Sequence, residues 1–363
     1  MNFYLFCDSI TIMDNKPLLS VCVMFKNEIR TLERCLSSAA YLQNALPCEI
    51  IAADTGSTDG SRAIAELYSD IIIDVLWTDD FSAARNAMLD VVSGEWCLML
   101  DADEWFDENL SDLTAFLSSP PAEISCVFIN RRDYHTASFD DWSDVAIGRL
   151  LRMSDKPRYN GIIHEEPCFK YSGIPFTGVL GHPLIHHDGY VDMNDSSNGI
   201  SKTERNIRLL RKKLSTDPDN LLTLLQFFDV AMSEPDYEAE LIRAMKLVED
   251  HKEDWEFWGQ VIFRDAVQYA AERKLSVMYE WALRAKELFP YSYYIQLDVN
   301  YLLFASFNNS GDTENARKYG KIYLAVWDTL QDDEKGQLES GLGGYNWDSP
   351  ATREDVLRVL NSL

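Results

Sequence analysis

Positive charge is scarce in this sequence. Its 363 residues include 33 Lys and Arg against 59 Asp and Glu, which gives a net charge of −26. A surface of this sign repels nucleic acid and anionic lipid, so neither is an expected partner. It would also repel a phosphate-bearing ligand unless a metal ion or local basic groups offset the field. The composition therefore favours a cation at any site that binds phosphate.

Long apolar runs are missing as well. No segment approaches the roughly 20 apolar residues that a membrane-spanning helix needs. The first ten residues, MNFYLFCDSI, have no basic start and reach Asp8 almost at once, unlike a secretory signal. We therefore expect a cytoplasmic protein without a membrane span.

Paired cysteines are also absent. The seven cysteines are odd in number, and the pattern C-x-x-C does not occur. This usage disfavours a disulfide-stabilised protein and a thiol redox enzyme. We expect the cysteines to be buried small hydrophobic side chains.

Short apolar runs alternate with helical patterns from residue 19 to about 130. We predict strands at 19–25, 48–53, 70–75, 95–100 and 125–130, with helices at 27–42, 61–68 and 82–92. Apolar strands separated by helices predict a mostly parallel α/β sheet with helices on both faces. Residues 131–195 look irregular, and they hold five of the six histidines, which is typical of site-building loops.

The sequence divides into three predicted parts: an α/β domain at 1–195, an all-α domain at 196–335 and a tail at 336–363 with a short helix. Pro218 and Pro290 each follow one helical pattern and open another. A similar break lies between them, so the spacing of roughly 35 residues suits tetratricopeptide-type helical hairpins. An irregular helical bundle is the alternative.

The segment Asp101-Ala102-Asp103 directly follows an apolar strand. Ligands of open α/β sheets bind at the carboxyl ends of strands. Two carboxylates around one small residue suit a hard divalent cation, and Mn²⁺ or Mg²⁺ there would hold a diphosphate. Because acidic loops are common, the pattern alone is weak support for a metal site.

Three further polar segments flank the predicted strands: FKNE at 25–28, DTGSTDG at 54–60 and FSAARN at 81–86. The second suits a plain strand–turn–helix junction, because glycine permits a tight turn and Ser, Thr and Asp cap helices. That junction does not need Asp54. Arg85 would partly neutralise the acidic charge near a phosphate-bearing ligand. Alternatively, it would be a solvent-exposed charged residue on the surface of a helix.

The segments LSVCVMFKNE, IIAADTGSTDGS, DDFSAARN and LMLDADE follow in that order within residues 18–105. Together they resemble the inverting glycosyltransferases of family two, which have the GT-A fold. The resemblance implies a nucleotide-sugar donor, commonly a UDP-sugar, held with Mn²⁺ or Mg²⁺. The donor contacts it implies are Phe25, Lys26, Asn27, Glu28, Asp54, Arg85, Asp101 and Ala102, with Asp54 and Arg85 at the uridine. The metal ligands it implies are Asp101 and Asp103.

The resemblance is looser past residue 105. Segments 159–165 (YNGIIHE) and 185–190 (IHHDGY) resemble late segments of the family members with a helical, repeat-bearing C-terminal region. Those members include bacterial peptide S-glycosyltransferases. A late histidine often completes the metal shell in GT-A enzymes, which points to His187. His186 is the alternative, because neighbouring strand residues face opposite ways, and an interior hydrogen-bonded histidine is the plain alternative for either.

An inverting transfer also needs a base that takes the acceptor's proton. Our candidate is Glu165, beside His164. The open alternatives are Glu166, Asp140, Asp141 and Asp144, and Glu104 would instead hydrogen-bond the sugar.

The resulting prediction is a metal-dependent inverting glycosyltransferase that uses UDP-glucose or a UDP-N-acetylhexosamine. Its acceptor would be a peptide or protein side chain, or a saccharide, because stacked helices offer a groove for a peptide. The helical region would alternatively form a homodimer. Rival functions are a non-catalytic helical-repeat interaction protein with a degenerate transferase domain, and a nucleotidyltransferase. The latter usually has a Gly-rich phosphate loop, which residues 18–28 lack.

Overall fold

The computed structural model describes residues 16–170, 179–189, 201–251, 256–330 and 350–363. The chain divides into two compact units, 1–209 and 210–363, and the division falls inside one helix. The boundary that the sequence suggests, between residues 195 and 196, lies outside the described residues and stays a prediction.

The first unit contains an eight-stranded sheet with the neighbour order β3-β2-β1-β4-β7-β6-β10-β5. Its strands are β1 (Leu19–Phe25), β2 (Cys48–Asp54), β3 (Ile71–Asp74), β4 (Trp96–Asp101), β5 (Glu104–Phe106), β6 (Cys126–Tyr134), β7 (Trp142–Arg152) and β10 (Val179–His187). Two short strands, β8 (Arg158–Asn160) and β9 (Glu166–Cys168), pair with each other outside this sheet.

The sheet is mostly parallel, as predicted. Strand β1 runs parallel to β2 and β4, β2 is parallel to β3, and β6 is parallel to β10. Strand β7 is antiparallel to β4 and β6, and β5 is antiparallel to β10. Together with the helical second unit, this confirms the predicted GT-A fold class.

Helices cover both faces of the sheet. They are α1 (Leu32–Leu42), α2 (Ser61–Tyr68), α3 (Phe81–Leu89) and α4 (Ser111–Ser118). Val21 of β1 packs in one core with residues of α1 and α4, whereas the next residue, Cys22, packs in another with residues of α3. Because each face buries alternate residues, the central strands are apolar throughout.

Two predicted features of this unit need correction. The helix expected at 27–42 begins only at Leu32, because Asn27 adopts a positive φ of 55° within a turn. The segment 131–195 is less irregular than expected, since β6 continues to Tyr134 and pairs with the eleven-residue β7. Charged residues interrupt the apolar pattern of this hairpin, and three of them, Arg131, Asp133 and Arg149, are buried or half-buried in ion pairs.

The cysteines follow the prediction in part. All six described cysteines are free, and Cys22, Cys35, Cys97 and Cys126 are buried. Cys168 is exposed, which the prediction did not foresee. Cys7 lies outside the described residues.

The second unit is helical. The helices are α5 (Lys202–Thr216, shared with the first unit), α6 (Leu221–Val230), α7 (Tyr237–Asp250), α8 (Glu256–Glu272), α9 (Met278–Leu288), α10 (Tyr293–Ser310), α11 (Thr313–Trp327) and α12 (Pro350–Ser362). Successive helices from α6 to α11 pack on one another, and α8 also contacts α6 and α10. Stacked hairpins produce this nearest-neighbour pattern, although the tetratricopeptide assignment stays a prediction.

Equivalent caps begin α6, α10 and α11, and at α11 the Asp312 side chain accepts a hydrogen bond from Asn315 N. The Asn220 side chain accepts a hydrogen bond from Thr223 N at the start of α6, and Ser292 Oγ accepts one from Ile295 N at the start of α10. Such caps satisfy backbone donors that a helix leaves open. No described helix is both long and apolar enough to cross a membrane.

Candidate active site

Three parallel strands end at one edge of the sheet. Phe25 at the end of β1 lies opposite Asp54 at the end of β2, and Met24 lies opposite Asp101 at the end of β4. The pairing brings the FKNE segment, the DTGSTDG loop and the D-x-D segment to the same carboxyl edge. Open α/β sheets bind their ligands at such an edge.

Asp54 organises its own loop. Its Oδ1 accepts hydrogen bonds from Gly56 N at 3.0 Å and Ser57 N at 2.7 Å, while Gly56 has a φ of 102°. Its Oδ2 lies 3.8 Å from Arg62 Nη1. The carboxylate therefore stabilises the turn, a role that the sequence interpretation assigned to other residues of the loop.

The FKNE turn is tied to the same loop. Asn27 Oδ1 accepts a hydrogen bond from Thr58 N at 2.7 Å, and Glu28 N donates to Ser61 Oγ at 2.8 Å. Burial raises the pKa of Glu28, and the negative charge of Asp103 raises it further. Glu28 is thus close enough to Asp103 for the two carboxylates to repel each other.

Two of the predicted donor contacts have buried apolar side chains. Phe25 and Ala102 are 2% and 5% exposed and belong to one apolar core. At these two positions, therefore, the backbone rather than the side chain would face a nucleotide.

A continuous chain of alternating charges runs through the site. Each member contacts the next in this order: Glu165, Arg85, Asp101, Arg149, Glu104, Arg131, Asp133, His187, Asp103 and Lys202. Most of these side chains are buried or nearly so. Since a buried charge is costly unless it is paired, the alternation explains how so many charges fit here.

Asp101 is held between two arginines. Its Oδ1 lies 2.8 Å from Arg85 Nη2, and its Oδ2 lies 2.5 Å from Arg149 Nη2. Burial alone would raise the pKa of Asp101, but the two guanidinium groups outweigh it and hold the pKa far below its usual range. Each oxygen of Asp101 retains a second lone pair, and the side chain is 33% exposed, so a ligand can still reach it.

Glu104 belongs to the same buried network. Its Oε1 accepts from Arg149 at 2.6 Å and from Arg131 at 3.2 Å, and its Oε2 accepts from Asp101 N at 2.9 Å. The side chain is fully buried. These contacts favour a role in positioning Asp101 over a direct contact with the sugar.

Asp103 lies beside His187. Asp103 Oδ2 is 3.7 Å from His187 Nε2 and 3.2 Å from Lys202 Nζ. On the other side of the ring, His187 Nδ1 is 2.7 Å from Asp133 Oδ1. A carboxylate at one ring nitrogen orients the other, which is the usual support of a metal-binding histidine.

The pKa values of this pair reflect their contact. Burial raises the pKa of Asp103, but the hydrogen bond and positive charge of His187, with Lys202, lower it to about 2. Burial lowers the pKa of His187, but Asp103 and Asp133 raise it to about 9. Without a metal, His187 is therefore a cation between two carboxylates at neutral pH.

His186 faces a different environment. Its Nδ1 is 2.8 Å from Tyr134 Oη, and its ring is stacked on Trp105 with centroids 5.2 Å apart. Of the two adjacent histidines, His187 and not His186 lies beside Asp103.

The backbone at Gly189 packs closely against Asp103 and His187. A Cβ atom at Gly189 would be 2.3 Å from His187 Nε2 and 2.5 Å from Asp103 Oδ2. Both distances are much shorter than any real Cβ contact, so a side chain at this position would displace His187, Asp103 or both. Only a residue without a side chain leaves this position open.

Asp103 Oδ2 and His187 Nε2 lie 3.7 Å apart, and a carboxylate oxygen with an imidazole nitrogen suits a small divalent cation. Among the described residues, no three His, Cys, Asp or Glu side chains are grouped so that they could hold a metal ion together. A cation here would therefore take its remaining ligands from the donor and from water, as Mg²⁺ commonly does with phosphates.

The candidate base, Glu165, is also part of the network. Its Oε1 lies 2.6 Å from Arg85 Nε, and its side chain is 10% exposed. His164 is exposed and has a positive φ of 51°. Among the alternatives, Glu166, Asp140, Asp141 and Asp144 are exposed, and Asp144 is bound by Arg132.

Arg85 retains one unsatisfied donor. Its Nη1 is buried and has no hydrogen-bond partner among the described residues, although the side chain is 6% exposed. Buried polar atoms are nearly always paired. A ligand acceptor at the carboxyl edge would satisfy this atom.

Several charged residues of the site were not identified from sequence. Arg131, Asp133 and Arg149 lie on the β6–β7 hairpin, and Lys202 and Arg205 lie on the first turn of α5. The three-residue spacing of Lys202 and Arg205 places them on one helix face. This spacing was the one local feature of the sequence that could have pointed to these two residues. It does not show that Lys202 contacts Asp103.

The fold and the edge site together define a glycosyltransferase domain of GT-A type. Residues 20–168 match the family described as Glycosyl transferase family 2.

Curated relatives support the same class. The chain is 30% identical over 209 residues to the SPbeta prophage-derived glycosyltransferase SunS of Bacillus subtilis, covering 56% of this chain and 47% of SunS. It is 31% identical over 185 residues to a TPR repeat-containing protein of Synechococcus elongatus, covering 47% and 42%. It is 32% identical over 187 residues to the lipopolysaccharide core biosynthesis glycosyltransferase LpsC of Rhizobium meliloti, covering 45% and 66%. The chain thus spans about half the length of the first two.

Solved structures give weaker likenesses. Staphylococcus aureus TarS 1–349 has a TM-score of 0.35 at 12% identity, covering 86% of this chain and 92% of that one. Glucosyl-3-phosphoglycerate synthase from Mycobacterium tuberculosis, in complex with Mn²⁺, UDP and glucosyl-3-phosphoglycerate, has a TM-score of 0.27 at 20% identity, covering 32% and 44%. At these scores neither likeness assigns a donor or a metal to this chain.

Proposed function

We propose that this protein is an inverting glycosyltransferase that moves a hexose or N-acetylhexosamine from a UDP-sugar to an acceptor with the help of Mn²⁺ or Mg²⁺. The observation that carries the proposal is the position of Asp103 Oδ2, 3.7 Å from His187 Nε2, at the carboxyl edge of the sheet. Asp103 lies in the segment that matches family 2, and the orphaned Nη1 of Arg85 offers a second contact to the donor.

Different residues at the carboxyl edge would bind different parts of the donor. Asp103 and His187 would hold the cation, and Asp133 would keep the His187 ring turned toward it. When bound, the cation would act as a Lewis acid that neutralises charge on the departing diphosphate. Arg85 and Asp54 would contact the uridine. Asp101, fixed by two arginines, would accept hydrogen bonds from the ribose.

The FKNE turn would form part of the nucleotide pocket. Lys26, Asn27 and Glu28 lie at the same edge, and the hydrogen bond from Thr58 N to Asn27 Oδ1 fixes the turn against the neighbouring loop. Such prior ordering reduces the entropy lost when a ligand binds.

Glu165 would act as the base that takes the acceptor's proton, with His164 beside it. Arg85 Nε fixes one oxygen of Glu165 at 2.6 Å, which orients the carboxylate. An oriented carboxylate within hydrogen-bond reach of the acceptor is what general-base catalysis needs.

A peptide or protein side chain is the proposed acceptor. Its support is the resemblance to peptide S-glycosyltransferases together with the stacked helices of the second unit, since stacked helices provide extended grooves for peptides. A saccharide acceptor is the second candidate, and the relative LpsC, named for lipopolysaccharide core biosynthesis, favours it. The helical unit would alternatively pair two copies of the chain, and we place the protein in the cytoplasm.

A donor screen tests the proposal. Full-length protein would be incubated with nucleotide sugars and Mn²⁺ or Mg²⁺, and slow hydrolysis to free sugar and nucleoside diphosphate would be measured without an acceptor. We expect hydrolysis of one UDP-sugar, and its loss on chelation with EDTA. Tight binding of another nucleotide with no turnover of any UDP-sugar would overturn the donor assignment. UDP binding that is unchanged by Asp103→Ala would overturn the metal assignment.

A further inference from the structure

Two cations on the first turn of α5 lie among the carboxylates of the site. Lys202 Nζ is 3.2 Å from Asp103 Oδ2. Arg205, on the same helix face, is close enough to Asp103, Glu28 and Glu165 for their charges to affect its protonation. Its guanidinium carbon lies 5.2 Å from the ring centroid of Phe81.

Lys202 and the proposed cation require the same oxygen atom. Asp103 Oδ2 contacts Lys202 Nζ at 3.2 Å and is also the oxygen that faces the second proposed metal ligand, His187 Nε2, at 3.7 Å. An ammonium group and a divalent cation held at adjacent positions repel each other strongly. Lys202 must therefore leave Asp103, or move away from it, when the cation enters.

The other cations of the network already hold carboxylates. Arg85, Arg149 and Arg131 each bridge two acidic side chains. Arg205 differs, because among the described residues its guanidinium donates to the side-chain oxygen of Asn206 and no carboxylate lies within 4.0 Å. Burial lowers the pKa of Arg205, in spite of the surrounding acidic charges.

A diphosphate is the ligand that suits this pair. A guanidinium binds two phosphate oxygens at once, and a lysine ammonium binds phosphate as a point charge. The chain as a whole carries a net charge of −26, so a phosphate-bearing donor needs local positive charge beyond that of the metal.

We propose that Lys202 and Arg205 bind the diphosphate of the donor, and that Lys202 exchanges between Asp103 and a phosphate oxygen when the cation takes its place. This inference rests on the proposed function and adds a second group of residues to it. In the metal-free protein, Lys202 neutralises Asp103. In the loaded protein, the same ammonium neutralises the leaving group.

Arg208 provides a matched control on the next turn of α5. It has the same charge and lies on the same helix, but both of its terminal nitrogens are bound by Asp79. Replacing it removes one positive charge from the helix without touching Asp103.

The test uses the full chain as wild type and as Lys202→Gln, Arg205→Gln and Arg208→Gln. Mn²⁺ binding without nucleotide would be followed by electron paramagnetic resonance, and UDP binding at saturating Mn²⁺ by calorimetry. Loss of a charge-assisted hydrogen bond should weaken UDP binding by roughly tenfold or more in the first two variants. Lys202→Gln should also bind Mn²⁺ alone more tightly than wild type, because the competing ammonium is gone.

Weaker UDP binding together with tighter Mn²⁺ binding by Lys202→Gln would identify the exchange. Arg208→Gln should match wild type in both titrations, and Lys202→Arg should recover UDP binding. Unchanged or weaker Mn²⁺ binding by Lys202→Gln would refute the exchange, and unchanged UDP binding by both variants would refute the phosphate site. If wild type itself binds no UDP with either metal, the proposed function fails as well. Thermal melting of each variant distinguishes lost binding from lost folding.

Discussion

His187 Nδ1 lies 2.7 Å from Asp133 Oδ1, and this contact turns Nε2 of the same ring toward Asp103. Asp133 is a positioning residue, since it reaches the proposed metal site only through His187. Supporting carboxylates of this kind typically contribute about 10- to 100-fold to metal affinity.

We therefore predict that Asp133→Asn weakens Mn²⁺ binding by about 10-fold or more. Asp144→Asn is the control, because Asp144 is an exposed carboxylate on the same hairpin that pairs with Arg132. Calorimetric titration with Mn²⁺ measures both. Equal affinities for the two variants would show that Asp133 does not support the ligand.

Gly189 should be sensitive to even the smallest side chain. We expect Gly189→Ala to reduce Mn²⁺ affinity by at least roughly 10-fold, as loss of a supporting group does, because its Cβ would displace His187, Asp103 or both. Gly181→Ala, on β10, which ends two residues before Gly189, is the control, since its Cβ would meet Asp112 Oδ2 at an ordinary 3.4 Å. Electron paramagnetic resonance of bound Mn²⁺ would compare them. Normal binding by Gly189→Ala would place the cation elsewhere.

The stability of the metal-free protein should depend on His187. Its pKa is raised from 6.5 to about 9 in the folded state, so its ion pairs stabilise the fold fully below about pH 6.5. This contribution, at most about 3 kcal/mol, is lost as the pH rises through about 9. Urea unfolding in EDTA measures the free energy of unfolding at pH 6 and at pH 9.5. Between these two pH values the free energy of unfolding should fall further for wild type than for His187→Gln. Parallel declines would contradict the raised pKa.

Arg149 should be important for folding. It is the shared partner of Asp101 and of the fully buried Glu104, so Arg149→Met leaves buried negative charge without its partner. Breaking a buried pair from one side costs about 3–5 kcal/mol. Arg132→Met removes an exposed pair with Asp144 and should cost at most about 1 kcal/mol. Urea unfolding monitored by circular dichroism compares the two, and a small loss for Arg149→Met would argue against tight coupling of the network.

The proposed base can be separated from donor binding. Glu165→Gln keeps an oxygen for Arg85 Nε but removes the basic group, so turnover of the active donor should fall by about 100-fold or more. UDP binding should stay near the wild-type value. Glu166→Gln, at the exposed neighbouring residue, should keep its turnover. If both variants turn over like wild type, the base is another residue.

The central strands could be read from the sequence because each is buried on both faces, so that almost every residue of Leu19–Phe25 is apolar. The position of the site at the carboxyl edge could also be predicted, since Asp54 and Asp101 end the two parallel strands on either side of β1. The β6–β7 hairpin could not, because Arg131 and Asp133 interrupt its apolar pattern and are accommodated by long-range ion pairs.

The contact of the α5 residue Lys202 with Asp103 could not be predicted from the sequence for a related reason. Lys202 lies 99 residues from Asp103 in the chain, and an ion pair over such a separation leaves no local pattern. The requirement for Gly189 is also three-dimensional, because it depends on where two other side chains end.

The pairing of β10 with β6 is irregular between Leu180 and Ile185, where four residues of β10 lie opposite a single residue of β6. Side chains alternate between the two faces along a strand. The number of residues in this irregular stretch therefore decides which face of the sheet each of the two histidines lies on. A slip of one residue would turn His186 toward Asp103 and move His187 to the aromatic side at Trp105. The number of residues in an irregular stretch of β10 thus selects which imidazole faces Asp103.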